Sequence, residues 1–289
     1  MKTAQTIIDQ TLLLPNDQFN EELINNVHPA QWQNPTPSGR YNLVIIGAGT
    51  AGLVTAAIAS ALGAKVALIE RHLMGGDCLN VGCVPSKGII RAAKAWKAVK
   101  EASQFGLHAP ENLKGDFGQA MARMRKLRAK ISHVDSAHRY SKLGVDVFIG
   151  NGQFTSSNTI DVDGTTLEFA KAVICTGARA AAPPIPGLDQ VNYLTNETIF
   201  SLTNLPSRFG VIGAGPIGCE MAQAFARFGS QVFLVEAMHG ILINEDGDAS
   251  KIVEQSILRD GVQLLCCGKD LNIKLVNGVK HMFVDSHGQ

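Results

Sequence analysis

Net charge is nearly absent from this 289-residue chain, in which 26 Lys and Arg face 25 Asp and Glu and leave +1. That balance argues against a nucleic-acid surface. The cationic run Arg123, Arg125, Lys126, Arg128, Lys130 and Lys142 reads instead as the solvated face of one helix. A secretory leader is also lacking: Met1 to Asn42 is polar, with Thr11 to Pro15 as its apolar patch, and no charged segment followed by an apolar run opens it. A cytoplasmic chain is the expectation, and in that compartment cysteines stay reduced unless they turn over. Metal-ligand patterning is lacking too. The eight histidines show no ligand spacing, and structural zinc needs four ligands, usually as two close pairs, whereas Cys175 and Cys219 stand alone. The dipeptide Cys266-Cys267 follows Gly261 to Leu265 and is read as part of a packed strand. No metal site is expected.

What is present is a dithiol. Gly75-Gly76-Asp77-Cys78-Leu79-Asn80-Val81-Gly82-Cys83-Val84-Pro85-Ser86-Lys87 sets two cysteines five positions apart, ahead of a helix-forming run from Ile89 to Lys100. On a regular helix such residues have Cα atoms about 8.6 Å apart, while a disulfide needs roughly 4.4–6.8 Å. A pair that closes therefore requires a bend, and Gly82 permits one. A thiol near a helix N-terminus, with Lys87 one turn on, is expected to favour thiolate.

Two nucleotide sites flank the dithiol. Leu43 to Ala64 carries no charge and has the length of a membrane span, but the glycines exclude that reading. A strand, Leu43 to Ile46, runs into Gly47-Ala48-Gly49-Thr50-Ala51-Gly52, then a small-residue helix, a second strand and Glu70, 18 positions after Gly52. This is a dinucleotide-binding βαβ pattern. Its glycines allow the tight turn, the approach of a pyrophosphate and close helix–strand packing, and its acid accepts from ribose hydroxyls. The pattern recurs as Gly213-Ala214-Gly215-Pro216-Ile217-Gly218 and Glu236, every position offset by 166. Two nucleotides and a dithiol suit an electron relay, with a flavin on the first unit and a nicotinamide nucleotide on the second.

From Tyr41 onward the chain resembles the pyridine nucleotide–disulfide oxidoreductases, the family of dihydrolipoamide dehydrogenase, glutathione reductase and mercuric reductase. The resemblance rests on both glycine motifs, Cys78 to Lys87, Cys175-Thr176-Gly177-Ala178 and Cys219-Glu220. It implies an α/β fold with two Rossmann-like (three-layer ββα) domains, the second incomplete. Residues 1–40 would be an extension, 41–190 an FAD-binding domain with the dithiol, and 191–289 a truncated NAD(P)-binding domain. FAD would lie on Gly47, Gly49, Ala51, Gly52, Glu70, Gly76, Asp77, Thr176 and Gly177, and NAD(P)H on Gly213, Gly215, Ile217, Gly218 and Glu236. Cys83 would face the flavin, Cys78 would meet the substrate, and Lys87 and Glu220 would form an ion pair beside the rings. Glu236 favours NADH, because a carboxylate repels a 2′-phosphate.

The implied acceptor is a small disulfide, lipoamide among them, or a metal ion such as Hg(II). The resemblance further implies a dimer-forming domain beyond the position of Gln289, and that domain is expected to be missing here. An inactive nucleotide-binding remnant and a dithiol protein without turnover are the alternatives. Between the two units, Phe117, Met121, Met124, Leu127, Ile131 and Val134 predict one apolar helix face over Asp116 to Leu143. Short strands are expected at Val145–Ile149, Thr159–Val162, Thr166–Phe169 and from Val173, with Cys175 a small packed strand residue. Ala180 to Gly187 reads as an interdomain connection.

Overall fold

The computed structural model describes residues 13–108, 110 and 114–285. Thr11 and Leu12 of the leading apolar patch and the final four positions lie outside the described residues. The described chain forms two compact units, one containing residues up to Pro85 with Ala122–Arg179, the other Ser86–Met121 with the residues from Ala180 onward. The sequence boundary at 190 keeps 86–121 with the first unit, whereas its aromatic residues pack with the second. Trp96 meets Phe228 edge-on at 5.0 Å, and Phe117 lies 5.7 Å from Phe225 and 5.4 Å from Phe228.

The first unit starts with α1 (Gln18–Val27), capped by Asp17, whose carboxylate accepts from the amides of Phe19 and Asn20. Then come β1 (Tyr41–Ile46), α2 (Thr50–Ala61), β2 (Val66–Glu70), the short α3 (Gly76–Asn80) and α4 (Cys83–Lys100), of which only Cys83 to Pro85 belongs to this unit. After α5 (Phe117–Ser132), which belongs to this unit from Ala122, and α6 (Ala137–Lys142) follow β3 (Val145–Ile149), β4 (Gly152–Phe154), β5 (Thr159–Val162) and β6 (Thr165–Ile174). The six strands run in the order β3-β2-β1-β6-β5-β4. The half centred on β1 is parallel, with Ile45 opposite Leu68 and Val173; the half beyond β6 is antiparallel.

Two expected strands are one. Thr165 to Glu168 pairs with β5, and Phe169 to Ile174 pairs with β1, so β6 changes partners without a break. Cys175 comes just after it, its amide donating to Ile46 O at 2.8 Å. The single expected helix over Asp116 to Leu143 is divided. Residues 133–135 form a tighter turn, and Ser136 caps α6 by accepting from the Arg139 amide.

The larger correction concerns charge. Arg125 and Arg128, expected in solvent, are 6% and 2% exposed. Arg128 donates to the carbonyl of Asn80 at the end of α3 and to Asn20 Oδ1 at 2.6 Å, while Arg125 pairs with Asp17. Burial, and then the charge of Arg125, push the Arg128 guanidinium down to about 10. The described part of the extension is thus part of this unit: Leu23 and Val27 of α1 are fully buried in its core with Ile45, Leu68 and Leu79.

The second unit contains α7 (Asn196–Ile199), β7 (Arg208–Ile212), α8 (Pro216–Phe228), β8 (Gln231–Val235), α9 (Gly247–Arg259) and β9 (Gln263–Leu265). A hairpin of β10 (Lys269–Val276) and β11 (Val279–Asp285) completes it. Strands β7, β8 and β9 make a parallel sheet in that order. No helix among the described residues is long and apolar enough to cross a membrane, and α2, inside the uncharged stretch, has 12 residues.

Candidate functional site

The two glycine turns share their central contact and their backbone twist. A Cβ on Gly52 would lie 1.9 Å from Gly47 O, and one on Gly218 would lie 2.0 Å from Gly213 O. Neither position admits a side chain, so each helix presses against the turn that precedes it. Gly47 and Gly213 have φ of 99° and 97°, a left-handed conformation that glycine adopts without strain. The helices α2 and α8 follow Gly49 and Gly215 at their N-cap positions, neither of which supplies a side-chain cap. Their first-turn N–H groups are therefore left for an anion. Ala51 and Ile217 are exposed within these first turns.

The two acids repeat as well. Glu70 Oε2 accepts from the Ala48 amide at 2.8 Å and Oε1 from the His72 amide at 2.8 Å; Glu236 Oε2 accepts from Ala214 at 2.8 Å and Oε1 from Met238 at 3.0 Å. Each carboxylate thus braces its own glycine turn, and each oxygen keeps a lone pair for a ribose hydroxyl. The bracing is absent from the sequence reading, which assigns these acids to the ribose alone. The donor sets fit adenine dinucleotides: uncapped amides for the pyrophosphate, a carboxylate for the ribose, and glycines where a Cβ would intrude.

The dithiol is seated on the first turn. Gly75 donates to Ala48 O at 2.8 Å, and a Cβ on Gly76 would lie 2.7 Å from the Cα of Gly49. Both glycines have positive φ, 87° and 55°. Asp77 occupies the first turn of α3, exposed, while Asn80 at its far end donates to the carbonyls of Met74 and Gly76. The helix breaks at Val81 and Gly82, as closure of the pair demands, and Cys83 starts α4. Gly82 is needed for contact rather than for φ. Its Cβ would sit 2.8 Å from Asp77 O and 3.5 Å from the Cα of Cys78, wedging the two cysteines apart.

Burial, followed by the hydrogen bond and charge of Cys83, pushes the Cys78 thiol up; Asp135 adds to the rise, and a hydrogen bond with Thr50 opposes it. Cys78 stands third in the short α3 with its thiol beside Thr50, the first residue of α2, and burial together with Cys83 outweighs what these helix starts supply. Thr50 and Asp135 belong to this site and went unrecognised in the sequence; a hydroxyl directly after a glycine turn is the signal that could have revealed the first. With the dithiol reduced, alkylation of Cys78 is expected to be slow at neutral pH and to accelerate only above the ordinary thiol range near 8.5. Mass spectrometry of iodoacetamide-treated chain across pH checks it.

Lys87, one turn beyond Cys83 on α4, pairs with Glu220 on α8 at 2.5 Å. The pair lines a cavity of about 300 Å³ with Ile90, Gln223 and Arg227. Cys219 beside it is no second nucleophile. Burial, then the charges of Glu236 and Glu220, push its thiol up to about 11, and it donates to Ala214 O. Thr176 and Gly177 are exposed after β6, and Cys175 O sits where a Cβ on Gly47 would collide at 2.3 Å. Among the described residues no disulfide is formed.

Two dinucleotide-binding βαβ units, one carrying a dithiol, define a class of redox protein built for two nucleotides. The chain belongs to the pyridine nucleotide-disulphide oxidoreductase family, whose profile matches residues 41–272. It is 34% identical over 232 residues to a dihydrolipoyl dehydrogenase of Acholeplasma laidlawii, covering 79% of this chain and 69% of that one. It is 33% identical over 249 residues to a mercuric reductase of Bacillus cereus, covering 86% and 39%. Among solved structures, the HOCl-induced flavoprotein disulfide reductase RclA from Escherichia coli superposes with a TM-score of 0.71 at 28% identity, covering 86% of this chain and 54% of that one. The chain thus spans between 39% and 69% of the length of these relatives. Members of the family use FAD and NAD(P)H.

Proposed function

We propose that this chain carries electrons from a nicotinamide nucleotide held by the second glycine turn, through FAD held by the first, to the Cys78–Cys83 pair and on to a small acceptor. The observation that carries the reading is the seating of the dithiol on the first glycine turn, through Gly75 on Ala48 and Gly76 on Gly49. FAD supplies a two-electron carrier between nicotinamide and thiols. Gly47, Gly49, Ala51, Gly52 and Glu70 would hold it, with Gly76, Asp77, Thr176 and Gly177 at the turns beside them. Gly213, Gly215, Ile217, Gly218 and Glu236 would hold the nucleotide, and the Glu236 carboxylate selects NADH over NADPH by repelling a 2′-phosphate. Lys87, oriented by Glu220, contributes positive charge.

At the acceptor, Cys78 loses its proton and its sulfur attacks a disulfide, releasing one thiol and forming a mixed disulfide; Cys83 then displaces the second thiol and the internal bond closes. Two electrons from the nicotinamide reopen it. A thiophilic metal ion bound by both sulfurs and reduced by two electrons is the other acceptor chemistry the pair supports, and a mercuric reductase among the relatives speaks for it.

The test is an anaerobic titration of the oxidised, FAD-reconstituted full chain with NADH, followed by alkylation and mass spectrometry. One equivalent of NADH supplies two electrons, which are expected to leave the flavin oxidised and expose two new thiols, at Cys78 and Cys83; a second equivalent bleaches the flavin. Failure to retain FAD, or bleaching with no new thiols at these positions, overturns the relay. NADPH is expected to act at lower apparent affinity.

A further inference from the structure

A second group of sulfur ligands lies elsewhere in the second unit. The side-chain ligand atoms of His239, Cys266 and Cys267 are all within 4.8 Å of one another, and His239 Nδ1 lies 3.1 Å from Cys267 Sγ. The sequence places Cys266 and Cys267 in a strand, but β9 ends at Leu265 and both cysteines lie beyond it, in the loop leading to β10. Cys267 has φ of 56°, a left-handed conformation that a residue with a Cβ adopts only when its surroundings hold it there. Its amide donates to Met238 O at 3.1 Å, and Gly268 donates to Glu236 O at 3.0 Å, which ties this loop to the one bearing His239. The strained backbone and the cross-loop hydrogen bonds hold a thiol against an imidazole 28 positions away in sequence.

We propose that His239, Cys266 and Cys267 form a binding site for one thiophilic d10 cation, distinct from the redox dithiol. Two sulfurs and one imidazole nitrogen make a Cys2His set, which suits Zn(II) with a fourth position left open or Cu(I) in a trigonal arrangement. Hard cations such as Mg(II) and Ca(II) prefer oxygen ligands and are excluded by the same reasoning. The cluster is half-exposed, so an ion reaches it without unfolding the unit. Binding releases the thiol protons to solvent and involves no change of oxidation state. It also has a structural consequence. Glu236 sits on the same loop, three positions before His239, so a bound ion fixes the segment that braces the second glycine turn.

The test uses the full chain carrying Cys78→Ser and Cys83→Ser, so that the redox pair cannot bind metal, reduced with a phosphine and given Zn(II) or Cu(I) alone against a competing chelator. One ion per chain is expected, with a thiolate-to-metal charge-transfer band for Cu(I) and a rise in Tm that EDTA reverses for Zn(II). In that background His239→Ala is expected to weaken binding at least 10-fold, and Cys266→Ser with Cys267→Ser to abolish it, while the metal-free Tm stays within the range of the parent. Unchanged stoichiometry and affinity in the double cysteine variant, a Cys266–Cys267 disulfide that resists the phosphine, or no binding at micromolar ion overturns the site. The two ions, offered separately, decide which source of the chemistry the site prefers.

Discussion

Replacing Cys83 with serine is expected to lower NADH-dependent reduction of disulfide acceptors by roughly three orders of magnitude or more, while NADH oxidation by a dye that takes electrons directly from flavin is unchanged. The split follows from the structure. Serine at the first position of α4 suits a helix start, and Cys83 is exposed, so the fold and the first glycine turn lose nothing. What disappears is the closing step: without the second sulfur, Cys78 remains in a mixed disulfide after one attack. Trapping of that mixed disulfide by mass spectrometry is the positive signature. Equal loss of dye and disulfide reduction would place Cys83 in flavin binding, and full retention of disulfide reduction would remove the dithiol from the mechanism.

The second large effect is one of stability. Asp260, its side chain 3% exposed, accepts from Lys97 at 2.6 Å, from Arg227 at 2.8 and 2.9 Å and from Gln223 at 2.7 Å. Burial alone would raise its carboxyl, but the hydrogen bonds and charges of Lys97 and Arg227 outweigh that and hold it below the usual carboxylate range. Asp260→Asn leaves Lys97 and Arg227 without their counter-charge and is expected to cost about 3 kcal/mol, read as a lower Tm and denaturant midpoint of the second unit. The sign of the pH effect follows from the depressed carboxyl. Its contribution is complete above the unfolded value of about 3.9 and is lost as pH falls below that value and through the lower folded one. Parent and variant should therefore converge in acid. A Tm difference that is the same at pH 3 and pH 7 would show that packing, and not charge, dominates at this residue.

Local geometry made much of the site legible in the sequence. Glycines at fixed offsets have few uses, and the gap between an 8.6 Å helical spacing and the reach of a disulfide demanded a break between Cys78 and Cys83, which occurs at Val81 and Gly82. The ion pair of Lys87 and Glu220, 133 positions apart, came from family likeness and is formed. Features that depend on tertiary partners were illegible. Arg125 and Arg128 look like any exposed cation on a helix until Asp17, Asn20 and the carbonyl of Asn80 are brought to them. The rise of the Cys78 thiol is illegible in the sequence because the burial and the neighbours Cys83 and Asp135 that set it come only with the fold. His239 and Cys267 share no motif, and the turn at Cys267 and the hydrogen bonds between their loops bring them together.

The braces on the two glycine turns have a bearing on rates. Because Glu70 holds Ala48 and His72, and Glu236 holds Ala214 and Met238, neither turn waits for a nucleotide before taking its shape. A preformed receptor loses little conformational entropy on association. Nucleotide capture should then proceed as a single second-order phase without a slow isomerisation, and any lag seen in stopped-flow would have to arise outside these turns. The amides of Ala48 and Ala214 should also exchange slowly with deuterium in the free chain, reporting a pocket that is ready before its ligand arrives.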